Sequence, residues 1–207
     1  SRVRFTLRAY LVDSVTRRVL AWREFDETVI AASEDPYGGV VAANRAVQSV
    51  LAGARALGFG GLSLTVPHKQ AAVALCDELT PTARRIGAVN TVVRGADGRL
   101  TGFNTDVAGF LEPLQPLLAQ SQLYRMARIL GAGGAARAIV AALADAHFTL
   151  VLAARDPAKA RALLDELAPK GEHHAVDLAP FAATTAFAFD DRAQLLDLVV
   201  NASPLGM

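Results

Sequence analysis

A chain of 207 residues that is 52% hydrophobic can bury a sizeable core, as one large domain or two modest ones. Its 21 basic and 20 acidic residues leave a formal net charge of +1, so no single-sign field points to nucleic acid or a membrane surface as partner. The lone cysteine, Cys76, excludes an internal disulfide and suits a reducing compartment, no apolar run is long enough to span a bilayer, and SRVRFTLRAYL lacks a signal peptide's apolar segment, so a cytoplasmic location is expected.

Residues 3 to 12 and 17 to 29 alternate apolar and polar side chains around Asp13 and Ser14, which reads as a β-hairpin with one wet face. After SEDPYGG, the spacing of Val40, Val41, Ala43, Val47, Val50, Leu51 and Leu57 predicts a helix over 40 to 57, ended by Gly58, Gly60 and Gly61. A strand is expected over 62 to 66 and a helix over about 68 to 79, with Pro67 at the junction because it fixes φ and needs no donor there. Lys69 then falls near a strand's carboxyl end, where open α/β sheets place ligands. Cys76 sits in this apolar pattern as a small core residue rather than a nucleophile.

Ala96-Asp97-Gly98 between Thr91–Val93 and Leu100–Phe103 predicts a second hairpin. Asp106 begins a helix that Pro113 and Pro116 perturb; from the residues alone, its ordinary role is that of an N-cap. From residue 127, a short strand (Ile129, Leu130), a glycine turn, a helix, a strand (Thr149 to Ala153) and another helix form a βαβ unit, and Leu198 to Val200 add a further strand. His173 and His174 fall in the polar stretch KGEHHAVD, expected as a solvated loop, and no metal-ligand spacing is present. Both ends read as cut: the chain starts without Met inside a strand-like alternation and stops at VVNASPLGM, just after a strand.

In GAGGAARA, Gly131 permits a tight turn, Gly133 lets backbone N–H groups approach a pyrophosphate, and Ala136 lets the helix pack closely on the sheet. The helix N-terminus adds partial positive charge, so the loop is a dinucleotide site. At the end of the second strand, LAARD, Arg155 fits a 2′-phosphate, whereas Asp156 reads as the cap of the helix starting at Pro157; NADP is therefore favoured over NAD.

Read in order, TVPHK, GAVNT, GFNTDVAGF, GAGGAARA and NASPLGM resemble the shikimate/quinate dehydrogenase family over about residues 58 to 207. The resemblance implies an α/β fold in which a substrate-binding domain (residues 1–106, with 1–57 atypical) precedes an NADP-binding Rossmann domain (107–207). Both are apparently truncated. It also implies NADP-dependent reduction of 3-dehydroshikimate to shikimate, a small-molecule substrate. By the same comparison, Lys69 and Asp106 form the catalytic pair, while Thr65, Asn90 and Thr105 lie at the substrate. Gly131, Ala132, Gly133, Gly134 and Ala135 lie along the cofactor phosphates, Arg155 near the 2′-phosphate, and Asn201, Ser203 and Leu205 toward the nicotinamide. An ammonium suits this chemistry because hydride arriving at a carbonyl carbon leaves negative charge on oxygen, which a positioned cation stabilises and protonates. His68 is expected to be structural. From the residues alone, Asn90 and Thr91 could simply end a helix or begin a strand, and Asn201 could satisfy loop backbone groups.

The chain departs from the family pattern in lacking a serine-rich SxSP loop within residues 1–57, in having Ser63 where Asn is frequent, and in stopping after NASPLGM. Residues 1–57 are instead weakly similar to an auxiliary lipoprotein component of ABC-type lipid transport, implying a join near residues 52 to 58. The alternatives are thus quinate dehydrogenase and a non-catalytic, transport-associated binding module. Glutamyl-tRNA reductases and methylenetetrahydrofolate dehydrogenases share the glycine turn, but are not expected to combine it with GAVNT and GFNTD.

Overall fold

The computed structural model describes residues 2–12, 18–30, 36–57, 59–65, 68–122, 124–183 and 195–203. Strands β1 (Arg2–Val12) and β2 (Val19–Ile30) form the expected antiparallel hairpin, in register from Arg2 opposite Ile30 to Leu11 opposite Ala21. The expected turn residues Asp13 and Ser14 lie outside the described residues. Helix α1 (Pro36–Leu57) starts four residues earlier than its apolar period, at a proline suited to a first turn. Val47 and Leu51, one turn apart, are buried with Leu64, Ala72, Val89, Val92 and Leu100, so α1 shares the core of the sheet that follows it.

That sheet has the order β3-β5-β6-β4, from β3 (Gly61–Ser63), β4 (Glu78–Leu79), β5 (Thr91–Arg94) and β6 (Leu100–Phe103). β5 and β6 are the expected hairpin, with Gly98 at φ 83° in its turn. Of the strand expected over 62–66, only Leu62 and Ser63 are in β3, and Val66 and Pro67 lie outside the described residues. The helix expected over 68–79 is not formed. Ala71–Leu75 make a single 3₁₀ turn, Cys76 is extended at φ −90° and ψ 142°, and Glu78–Leu79 pair in parallel with Thr101 and Gly102. The cause is non-local: Asp77 N–H donates to Leu100 O at 2.9 Å and Thr80 N–H to Gly102 O at 3.0 Å, bonds that a helix would forfeit. The apolar pattern itself is real, since Val73, Leu75, Cys76 and Leu79 all pack on this core.

Thr80 caps α2 (Pro81–Ile86) by accepting from Ala83 N, and Gly87, at φ 65°, closes it. Helix α3 (Asp106–Leu111) runs into a 3₁₀ turn at Pro113 and the short α4 (Gln115–Leu118), the perturbation expected from the prolines.

The second half is a parallel sheet of order β10-β7-β8-β9, built from β7 (Tyr124–Leu130), β8 (Thr149–Ala154), β9 (His173–Asp177) and β10 (Leu195–Asn201). Helices α5 (Gly134–Asp145), α6 (Pro157–Leu167) and α7 (Leu178–Ala183) lie between the strands in sequence. Asp156 caps α6 by accepting from Ala158 N and Lys159 N, as its position predicts. His173 and His174 are not in a solvated loop: they pair with Leu150 and Val151, and His173 Nδ1 accepts the Leu150 N–H at 3.1 Å. A half-exposed outer strand tolerates such polar residues, which is why the stretch reads as loop. The core of this half is Ile129, Val140, Leu143, Leu150, Leu152 and Leu164. Because the chain runs β7-β8-β9 in one direction and returns to place β10 on the other side of β7, the switch point lies between β7 and β10, where such sheets bind ligands.

Candidate active site

Lys69 and Asp106 are 37 residues apart and meet at 2.6 Å between Nζ and Oδ2. Lys69 is held through its backbone, since Val89 N–H donates to its carbonyl at 2.7 Å. Its side chain is only 12% exposed, against 28% for Asp106, so the pair is shielded enough for its geometry to persist. Asp106 does not cap α3. Its N–H donates to Asn104 Oδ1 at 3.0 Å and the cap position belongs to Thr105, which leaves the carboxylate free to turn toward Lys69.

Asn90 completes the arrangement. Its Nδ2 donates to Asp106 Oδ1 and to Thr105 Oγ1, both at 2.8 Å, while its Oδ1 accepts from Thr105 N at 3.0 Å and Thr91 Oγ1 at 3.1 Å. A carboxylate can only accept and a backbone N–H only donate, so these partners fix the amide's orientation. They also use its full bonding capacity. Asn90 is buried, whereas Thr65 and Thr105 are exposed and Thr105 keeps a hydroxyl proton to donate.

His68 is buried, and burial lowers its pKa, so the ring beside Lys69 is held neutral. Cys76 has its thiol pKa raised by burial and by the neighbouring Asp77, the behaviour of a core thiol. Asn104 was not singled out by the motifs' chemistry, yet it is buried, donates to Ala88 O at 3.0 Å, and shapes the turn that aims Asp106. The Asn-Thr-Asp order, with an Asx acceptor two residues before a helix start, is the signal that could have found it.

The glycine loop lies at the switch point. Gly131 has φ 104°, a conformation that favours glycine, and a Cβ there would lie 3.0 Å from Ala202 O. Ala202 N–H donates to Leu130 O at 2.8 Å, which brings the end of β10 beside the loop. Gly133 precedes α5 in extended conformation, and a Cβ there would meet nothing within 4 Å. Ala132, Gly134 and Ala135 are half-buried and Ala136 is fully buried, the packing position expected of it. Arg155 is exposed at the end of β8. Asn201 Oδ1 accepts from Ser203 N at 3.0 Å and from Ser203 Oγ at 2.7 Å, so it does satisfy a loop backbone group. Leu205 lies outside the described residues. Loop and pair are adjacent: a Cβ at Gly134 would be 3.0 Å from Lys69 Cβ.

Residues 24–92 match the family model described as the shikimate dehydrogenase substrate binding domain. The chain is 43% identical to the shikimate dehydrogenase (NADP(+)) of Rhodospirillum rubrum over 176 residues, covering 83% of this chain and 59% of that enzyme. The chain belongs to the shikimate dehydrogenase family. The same family includes a quinate/shikimate dehydrogenase (NAD(+)) of Corynebacterium efficiens, 38% identical over 80% of this chain and 57% of that protein. Among solved structures, the shikimate 5-dehydrogenase of Thermus thermophilus in complex with NADP(H) and shikimate superposes with TM-score 0.57 at 38% identity, over 77% of this chain and 53% of that one. The quinate dehydrogenase of Corynebacterium glutamicum in complex with NAD gives TM-score 0.62 at 36% identity, over 78% and 55%. The chain therefore spans just over half the length of these shikimate dehydrogenase relatives. The family model begins at residue 24, upstream of residue 58 where the motifs start, so β2 from Glu24 onward and α1 fall within the substrate-binding domain of the shikimate dehydrogenase family.

The residues at the switch point fit a dinucleotide. Gly133 leaves open space in front of the α5 N-terminus, whose first N–H groups have no helical acceptor, and the small side chains of Ala132 and Ala135 keep the approach clear. Among the described residues, no group of His, Cys, Asp and Glu could hold a metal ion, and no helix is long and apolar enough to cross a membrane.

Proposed function

We propose that this chain carries the hydride-transfer chemistry of its family, reducing 3-dehydroshikimate to shikimate with NADP(H), and that residues 1–106 form the substrate side and 107–207 the cofactor side. The observation that carries the reading is the Lys69–Asp106 pair, 2.6 Å apart, lying against Gly134 at the mouth of the glycine loop. A proton donor and a dinucleotide cradle thereby share one cleft. The bound nicotinamide would supply the hydride.

The protein's own residues do the rest. As the substrate ketone becomes an alkoxide, the Lys69 ammonium stabilises the developing charge and gives up a proton. Asp106 keeps that ammonium aimed, and Asn90 keeps Asp106 aimed by holding its second oxygen. Thr65 and Thr105, exposed on this side, are the hydroxyls available to the substrate's own hydroxyl groups. Arg155, exposed at the end of β8, would receive the 2′-phosphate. Relatives named for quinate and for NAD support quinate as a second substrate to be tried on the same pair.

The test is a titration of the purified chain with NADPH and NADH by nicotinamide fluorescence, followed by shikimate-dependent reduction of NADP at neutral pH. Binding that prefers NADPH, with turnover reduced about 10²- to 10⁴-fold in Lys69→Ala, is the expected result. Undiminished turnover in that variant would refute the role of Lys69, and absence of nucleotide binding would refute the proposal as a whole.

A further inference from the structure

We infer that Gly134 is a positioning residue for Lys69: the side chain it lacks is the space in which the lysine stem lies. Three explanations for a glycine are available, and two fail here. Gly134 is not in the left-handed region, so alanine could adopt its backbone. It is not needed for helix-on-sheet packing, which Ala136 provides at 0% exposure. What remains is proximity. A Cβ built at Gly134 would have as its three nearest atoms Lys69 Cβ at 3.0 Å, Cδ at 3.5 Å and Cγ at 3.6 Å. At Gly133, one residue earlier in the same loop, a Cβ would meet nothing within 4 Å. The two neighbouring glycines therefore do different work, one leaving room for a ligand and the other for a side chain from the opposite half of the molecule.

Lys69 cannot simply step aside. Its carbonyl is held by Val89 N–H at 2.7 Å and its ammonium by Asp106 at 2.6 Å, so a push at Cβ and along the stem must be absorbed by moving Nζ. Reactions that depend on a group's placement lose about 10²-fold for a displacement of about 1 Å. The catalytic consequence rests on the function proposed above, whereas the packing relation does not, and the experiment separates them.

The chain has three lysines, Lys69, Lys159 and Lys170, of which the last two are exposed and serve as internal references. Trace acetylation of the full chain, read at each lysine by mass spectrometry, should label Lys69 slowest. In Gly134→Ala its rate should rise several-fold while Lys159 and Lys170 are unchanged and NADPH affinity is retained. Where the parent chain turns over shikimate, kcat should fall about tenfold to hundredfold in the variant. Unchanged Lys69 labelling in the variant would overturn the inference, as would loss of NADPH binding with labelling unchanged, because the glycine would then serve the phosphate. A parent chain that shows the labelling pattern but no turnover would leave the inference standing and refute the proposed function.

Should Gly134→Ala fold poorly, thermal unfolding decides. Alanine favours a helix over glycine, so Gly134→Ala should lower Tm in the parent but not in a Lys69→Gly background. Equal lowering in both backgrounds would overturn the inference.

Discussion

Replacing Asp106 by asparagine isolates what its carboxylate does, because the side chain keeps its size. The carboxylate accepts from Lys69 Nζ at 2.6 Å through one oxygen and from Asn90 Nδ2 at 2.8 Å through the other. An amide has one acceptor oxygen and one NH₂ group, so either way round one of these two donors faces a donor. Hydrogen bonds to charged groups contribute about 1.5–3 kcal/mol, and at 1.36 kcal/mol per decade this corresponds to about 10- to 150-fold in kcat if the bond aims Lys69 in the transition state. Asp106 also lies in the first turn of α3, where losing a negative charge costs about 0.3–1 kcal/mol, or roughly 1–4 °C in Tm for a chain of this size. Initial rates of shikimate-dependent NADP reduction, taken well below that Tm at saturating substrate, should show the loss in kcat with cofactor KM unchanged. A kcat within about twofold of the parent, or a loss confined to shikimate KM, would mean that the carboxylate binds substrate without orienting Lys69.

Three further outcomes follow from other contacts. Gly102→Ala should destabilise by about 1–3 kcal/mol, seen in urea unfolding, because a Cβ there would lie 2.8 Å from Val89 Cγ2 and 2.9 Å from both Cys76 Sγ and Leu79 Cδ2; an unchanged midpoint would show that this core is looser than its geometry. Burial lowers the His68 pKa, so below about pH 6.5 the unfolded chain takes up a proton that the folded chain resists, and stability should fall with a limiting slope of about 1.36 kcal/mol per pH unit. Unfolding free energies of the parent and His68→Gln between pH 8 and 5 should diverge on the acid side, and parallel curves would contradict the assignment. Arg155→Ser should weaken NADPH by about 10- to 100-fold and NADH far less, measured by fluorescence titration; equal weakening of both would remove Arg155 from the 2′-phosphate.

The parts of the fold legible in the sequence are those set by local rules. The βαβ unit shows because glycine and proline mark its corners and the helix and strand periods differ, and Asp156 is read correctly as a cap because capping acts within three residues. The misreadings arise where distant partners decide. Residues 68–79 have the composition of a helix, yet Asp77 and Thr80 find acceptors at Leu100 and Gly102 in β6, and Asp77 also accepts from Leu100 N and Arg55. Asp106 is legible as the start of a helix, but its release from capping depends on Asn104, and its use depends on Lys69, 37 residues away. Helix α2 is a different case: Thr-Pro at its start and Gly87 at its end are local signals plainly present in TPTARRIG.

The site depends on how the two halves are joined, and one turn of α5 accounts for much of it. Gly134 opens that turn against Lys69. Arg137 follows, buried, donating through Nε to Ile86 O and through Nη2 to Glu166 on α6. Gly87 is suited to this twice over, since its φ of 65° closes α2 and a Cβ there would lie 2.9 Å from Arg137 Nη2. Ala138 and Ala141 then meet Ile86 and Ala88 in a dry cluster, all at 0–2% exposure. The paired Arg85 and Asp145, with bonds of 2.6 and 2.7 Å, span the same junction, but their side chains are 51% and 56% exposed and such pairs contribute only about 0–1 kcal/mol. Apolar contact and the buried Arg137 therefore hold the halves together, while the exposed pair constrains their orientation in a salt-sensitive way. Since the N–H groups at the start of α5 are those that would meet the cofactor phosphates, any movement of this helix shifts the nucleotide site and the Lys69 stem together. The hydride donor and the proton donor are thus registered to each other through a single element, without an intervening loop.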